Sequence, residues 1–298
     1  MKIAYLILAH NTPNHMQKLI SSLSSDSSTF FIHIDKKSNI KDFNKIVGNN
    51  ITFTKSRISV FWGEFSQVEA ILVLIRTAMS NAIKFDRFVL LSGADYPVKT
   101  FKYIEDLFEN NTKTEYINLI AMPADNLNKP ISRLNRYVLP YNSSKFSKVL
   151  RKVLVKIRVI RNERNYKKYL GDIKPYGGST WWALTREACK QIICFIDKET
   201  KIVNFFKNTV CPDECIIHTI IGNSPLSSNV SRSPTYSDWS KGGASPLNIS
   251  EAHLNFFKTN TSFPHSTAYG SGEMLFARKF QDNSDDLILK LNEQIHNV

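Results

Sequence analysis

Two glycine-rich phosphate cradles are missing from this chain. Neither G-x-x-x-x-G-K-[ST] nor G-x-G-x-x-G occurs, so any phosphate it binds is held by other means. No stretch approaches the roughly 20 apolar residues needed to span a bilayer. The apolar run that opens MKIAYLILAHN leads into His10, Asn11 and Thr12 without a small-residue cleavage site; it reads as a buried first strand, and the expectation is a cytoplasmic protein. Cysteine is scarce. Cys189, Cys194, Cys211 and Cys215 are too loosely spaced for paired zinc ligands, with only His218 at a plausible interval, and they read as reduced thiols. Paired carboxylates are missing where they would matter most: FVLLSGADYPV, residues 88–98, ends its apolar run in the single Asp95, where a D-x-D pair would hold a divalent metal on a diphosphate.

What is present begins with size. A chain of 298 residues, 42% hydrophobic and 22% charged, buries a large core, and its length suits one large domain or two small ones. Periodicity predicts strands at 3–9, 29–34, 51–54, 58–61 and 88–91, with helices over 14–23 and 66–81. This alternation argues for a mostly parallel sheet in an α/β layered fold, whose ligands bind beyond the carboxyl ends of the strands. Those ends carry His10-Asn11, Asp35-Lys36-Lys37 and Ser92-Gly93-Ala94-Asp95. Farther along, YGGSTWWALTREACKQII predicts a glycine turn, a strand over 180–184 and a helix capped by Thr185. In NTVCPDECIIHTII, Pro212 suits a first helical turn whose dipole Asp213 and Glu214 complement.

Charge is concentrated. Of the net +13, a large share falls between Lys145 and Lys168, where ten basic residues face Glu163 alone. In the same segment Phe146, Val149, Leu150, Val153, Leu154, Ile157 and Ile160 recur at helical spacing, which predicts an amphipathic basic helix over 145–168. Such a helix suits an anionic membrane surface or an acidic ligand; equally, its apolar face suits the protein's own core. A nucleic-acid partner accounts for the charge but not for acidic strand ends at Asp35 and Asp95.

Taken singly, Glu214, Asp35, Trp181, Trp239 and Lys279 each have a structural reading: dipole complement, loop residue, core aromatics, surface charge. Their order and wording say more. AYLILAHN, FIHIDKKS, VFWGEFSQVEA, FVLLSGADYPVK, GGSTWWALTRE, CPDE, DWS and LFARKF, in that sequence, resemble the core-2/I-branching enzymes (glycosyltransferase family 14), in their bacterial branch, over about residues 3–281. The resemblance implies a GT-A type α/β fold in a single catalytic domain over 1–298 and inverting transfer from a UDP-sugar, with a nucleotide-binding half at 1–120 and an acceptor-side half at 121–298. It further implies that no divalent metal or other cofactor is needed, because a basic residue near the C-terminus neutralises the diphosphate. That residue is Lys279, beside Arg278.

By the same resemblance His10, Asn11 and Asp35 line the uridine pocket, Asp95 faces sugar hydroxyls, Trp181 and Trp239 pack against sugar, and Glu214 is the general base. The default donor is UDP-GlcNAc, with UDP-glucose, UDP-galactose and UDP-xylose open. The expected acceptor is a glycan hydroxyl of a surface-polysaccharide precursor, lipid-linked, with the enzyme peripheral on the inner face of the cell membrane and no nucleic acid involved. A non-catalytic sugar-binding member of the fold is the alternative. Departures from the family pattern are an extra stretch at 258–274 and the lack of a second matched basic residue, for which Lys241 and Arg232 are the substitutes considered.

Overall fold

The computed structural model describes residues 1–139, 145–157, 163–243, 245–264 and 267–296. In chain order the elements are β1 (Ile3–Ala9), α1 (Pro13–Leu23), β2 (Ser28–Ile34), β3 (Ile51–Phe53), α2 (Phe65–Met79), β4 (Arg87–Ser92), β5 (Asp95–Pro97), α3 (Phe101–Asn110), β6 (Glu115–Ile117) and β7 (Ile120–Ala121). Then follow α4 (Ser132–Asn135), α5 (Lys145–Lys156), α6 (Lys167–Leu170), β8 (Tyr176–Gly177), β9 (Trp182–Thr185), α7 (Arg186–Lys198), α8 (Thr200–Phe206) and α9 (Ile216–Gly222). The chain ends through β10 (Val230–Ser231), β11 (Thr235–Ser237), α10 (Glu251–Thr259), β12 (Ser262–Phe263), β13 (Gly272–Glu273), β14 (Phe276–Arg278) and α11 (Asp285–His296).

The central sheet has the order β10-β6-β9-β4-β1-β2-β3. Strand β1 lies between β2 and β4, parallel to both, and β9 alone runs against its neighbours. The fold is therefore a mixed α/β arrangement around a mostly parallel sheet. Both faces of the inner strands are apolar, as the continuous runs at 3–9 and 88–91 require. Ile3, Tyr5, Ile7, Phe30, Ile32, Val89 and Leu91 share one core with α1, α3, α10 and α11. The alternate residues Ala4, Leu6, Phe31, Phe88 and Leu90 share the other with α2, α7, α8 and α9.

Beyond the carboxyl end of β4 the chain turns through Gly93, whose amide donates to the Leu8 carbonyl and where a Cβ would lie 3.0 Å from that of Ala9. It then forms β5, which joins β14 and β11 in a small second sheet, with Asp95 opposite Arg278. This sheet brings the C-terminal FARK segment to the mouth of the large one.

Two expectations are corrected. Residues 58–61 form no strand: the Ile58 amide donates to Nε2 of His33 and its carbonyl accepts from Lys36, so the backbone is used up by a loop. The basic segment 145–168 is not one helix. Helix α5 ends at Lys156, Glu163 bridges to Arg136, and α6 starts at Lys167. Residues 158–162, including Ile160, lie outside the described residues. Among the described residues no helix is long and apolar enough to cross a membrane.

Candidate active site

The ends of β1, β2 and β4 gather the first group of side chains. His10 and Asn11 are exposed at the end of β1, and the buried Asp35 follows β2. The Asp35 carboxylate accepts from the Lys37 amide at 2.8 Å, while Arg57 ties the Ile34, Asp35 and Ser38 carbonyls together and fixes this loop. Partial desolvation lowers the His10 pKa, Asp35 opposes that, and the Lys279, Lys37 and Arg278 charges add to it. Asp35, Lys279, Lys37 and Arg278 are thus the charges near enough to act on His10.

Asp95 is fully buried, and its carboxylate is taken up inside the protein. The Ser92 amide and hydroxyl donate to it, and Nε of Arg278 lies 3.1 Å away. Burial pushes the Asp95 carboxyl up, and the Arg278 charge and Ser92 hydrogen bonds oppose it. The Arg278 guanidinium also stacks over Trp181 at 4.1 Å, so Asp95 and Trp181 together hold Arg278 in place. Lys279, the next residue, projects its ammonium to Oγ of Ser245 at 2.8 Å; burial and the adjacent Arg278 lower its pKa. Backbone bonds from Lys279 to Leu247 and from Ile249 to Lys279 wrap the 238–249 loop around it, and Trp239, half exposed, rides on that loop.

A second group surrounds Glu214. The PDE residues form a 3₁₀ turn, Pro212–Glu214, separate from α9. Cys211 enters it in the left-handed region at φ 48°, a strained position for a residue with a side chain, and its amide is anchored on the Gly63 carbonyl. Lys129 and Arg133 both pair with Oε2 of Glu214, Arg133 at 2.6 Å. Burial alone would raise the Glu214 pKa; the two cations outweigh it and hold the carboxyl below its ordinary value. These cations, rather than the dipole of α9, keep Glu214 ionised. The neighbouring Asp213 accepts a 2.7 Å hydrogen bond from Thr180, and burial together with the Glu214 charge raises it to about 6.

One short connection, Gly178–Trp181 between β8 and β9, joins the two groups. The Gly178 amide donates to the Glu214 carbonyl, Thr180 holds Asp213, and Trp181 carries Arg278. Gly178 is required there, since a Cβ would fall 1.8 Å from the Asn118 carbonyl oxygen.

Sequence reasoning missed Lys129, Arg133 and Tyr269. The extra stretch at 258–274 contains the antiparallel pair β12–β13, and Tyr269 between these strands is pushed up to about 12 by burial and the Glu214 charge. Arg232 holds that loop, donating to Thr267 and to the Gly270 carbonyl and covering Phe263 at 3.7 Å, so it does not reach for phosphates. Lys241 is exposed on the loop after Trp239. Among the described residues no group of three or more His, Cys, Asp or Glu is arranged as a metal site.

Comparison with known proteins gives a family model described as Core-2/I-Branching enzyme, which matches residues 3–259. Xylosyltransferase 1 of Canis lupus familiaris is 24% identical over 235 residues, covering 76% of this chain and 23% of that protein. Xylosyltransferase 2 of Rattus norvegicus is 23% identical over 233 residues, covering 76% of this chain and 25% of that protein. The chain thus spans about a quarter of the length of these curated relatives. Among solved structures, mouse xyloside xylosyltransferase 1 in its apo form aligns with a TM-score of 0.38 at 10% identity, covering 92% of this chain and 97% of that one. The galactosyltransferase LgtC, in complex with donor and acceptor sugar analogs, aligns with a TM-score of 0.39 at 9% identity, covering 99% and 96%.

Proposed function

The chain belongs to the Core-2/I-branching enzyme family, and from that premise we propose that it is an inverting, metal-independent glycosyltransferase of GT-A type, moving a sugar from a UDP-sugar to a glycan hydroxyl. The observation that carries the reading is the placement of an ionised carboxylate and an ammonium on two sides of one buttressing segment, Gly178–Trp181. Both cations on Glu214 use Oε2, and Oε1 takes no hydrogen bond from the described residues. Oε1 is then the atom that accepts the proton of the acceptor hydroxyl as its oxygen bonds to the anomeric carbon. The bond from that carbon to the UDP oxygen breaks on the opposite face, which inverts the centre, and Lys279 stabilises the departing diphosphate.

Support for metal independence comes from Asp95, whose carboxylate is committed to Ser92 and Arg278, and from the cationic Lys279 beside them. His10, Asn11 and Asp35 are assigned to the uridine, and Trp239 to sugar. UDP-GlcNAc stays the default donor; the names of the curated relatives keep UDP-xylose beside it. The acceptor proposed is a lipid-linked surface-polysaccharide precursor. Calorimetric titration with a panel of nucleotide sugars, with and without EDTA, tests the donor side: affinity for a UDP-sugar is expected to survive chelation, and its loss with EDTA would overturn the metal-free reading. Glu214→Gln tests the base, with turnover expected to fall about 100-fold to 10,000-fold while UDP affinity holds. Retained turnover would remove Glu214 from that role.

A further inference from the structure

Helix α5 leaves most of its apolar face exposed, with Leu154 partly buried. Phe146, Val149, Leu150, Val153 and Ile157 are 74, 59, 43, 48 and 59% exposed, and their spacing of three and four residues sets them in one stripe along the helix. These five residues are therefore not packed into the protein's own core. A contiguous apolar stripe left in water marks an interaction surface.

Two further observations say what covers it. The first is charge: Lys145, Lys148, Arg151, Lys152 and Lys156 share the helix with the stripe, Arg158 and Arg161 follow, and no acidic residue occurs before Glu163. A second copy of the chain would bring two such segments together against their mutual repulsion, and a nucleic acid would engage the charge but leave the stripe wet. An anionic bilayer satisfies both, with phosphates for the basic residues and the acyl boundary for the apolar ones.

The second observation is position. The excursion that carries α5 leaves and returns at one place. The Val138 amide donates to the Asn208 carbonyl, the Arg164 amide donates to that of Asn135 at 2.6 Å, and the Arg164 guanidinium donates to Asn208. Asn135 lies two residues after Arg133, which grips Glu214.

We propose that α5 lies in the headgroup plane of an anionic membrane, apolar stripe inward, and that its root beside Arg133 holds the Glu214 side of the cleft at the lipid surface. The docking does not rest on the proposed function; only the benefit of bringing Glu214 near a lipid-borne acceptor does.

The test uses the full chain, sedimented with vesicles of phosphatidylcholine alone or mixed with phosphatidylglycerol. Pelleting is expected with the mixed vesicles only, with release at high salt. The triple change Val149→Asp, Val153→Asp, Ile157→Asp is expected to weaken partitioning by at least about 100-fold, and Arg151→Glu with Lys152→Glu and Lys156→Glu by a similar factor. All six changes lie on the helix surface or in its basic sequence, so UDP binding and the thermal midpoint should hold in both variants and report that each is folded. A wild-type chain that stays in the supernatant overturns the proposal. So does a triple aspartate variant that pellets normally, which would leave bare charge attraction. Self-association of the wild type that the aspartates abolish, without vesicle binding, would assign the stripe to a second copy instead.

Discussion

Glu214 shares one oxygen with two cations, and that arrangement sets the pH behaviour expected of the cleft. Because its folded pKa is depressed, the carboxylate stays ionised to a lower pH than an ordinary glutamate, and the stability it contributes is present above the ordinary value and lost as pH falls through the folded one. Lys129→Met leaves Arg133 alone to oppose burial, so the acidic limb of the kcat/KM profile should move to higher pH; a limb that does not move would dissociate Lys129 from the base. Asp213 behaves in the opposite sense. Its folded pKa of about 6 lies above the ordinary carboxyl value of 3.8, so the folded state takes up a proton between those values and carries a penalty above them, on the order of 3 kcal/mol. Asp213→Asn removes the charge while keeping an oxygen for Thr180. It should raise the thermal midpoint at neutral pH and flatten the rise in stability from pH 6 down to 4; an unchanged midpoint would mean that Asp213 is not strained as argued.

At the scale of elements, the short connection from Gly178 to Trp181, between β8 and β9, does what neither the PDE turn nor β14 does alone. It fixes the distance between base and ammonium through one amide, one hydroxyl and one indole face. Gly178→Ala is the direct test. The added methyl meets the Asn118 carbonyl and Cδ2 of His218 at 2.6 Å, neither of which is the free end of a flexible chain, so the backbone must move. The expected cost is about 1–3 kcal/mol or more of stability, with turnover falling further than UDP affinity because Glu214 loses its carbonyl anchor. Equal losses in both would indicate general loosening. The sequence announced this segment as a glycine turn before a strand, and its periodicity announced β1, β2, α2 and β4 to within two residues. Other elements were illegible for physical reasons. The irregular stretch 58–61 has the apolar composition of a strand but spends its backbone groups on His33 and Lys36. Lys129 precedes the one-turn helix α4 and Arg133 lies in it, neither within a recognisable motif, and their pairing with Glu214 joins positions 85 and 81 residues apart. Nothing in local patterning encodes such a meeting, whereas strand-end carboxylates announce themselves by following an apolar run.

Over the whole molecule, the two halves suggested by sequence order are woven together through two shared sheets. Strand β9, from the second half, pairs with β4 along Arg87–Thr185 to Leu90–Trp182, and β14, from near the C-terminus, pairs with β5. Phe280 stacks on His15 of α1 at 5.4 Å, and the buried Arg87 donates to carbonyls at Asn111, Thr114 and Ala183. Both hydrophobic cores draw on β1, β2 and β4 as well as on helices from beyond residue 180. A fragment of residues 1–120 would leave the β4 edge unpaired, Phe280 missing from the α1 core, and the α2 side of the sheet without α7, α8 and α9. It is expected not to fold on its own. The full chain should instead unfold in one transition, in which far-ultraviolet circular dichroism and the fluorescence of Trp62, Trp181, Trp182 and Trp239 change at the same denaturant concentration. Trp62 belongs to the first half and the other three to the second, so separate folding units would shift the two signals apart. Two resolved transitions, or a cooperative fold for the 1–120 fragment, would show that the first half is stable without the strands that complete its sheet.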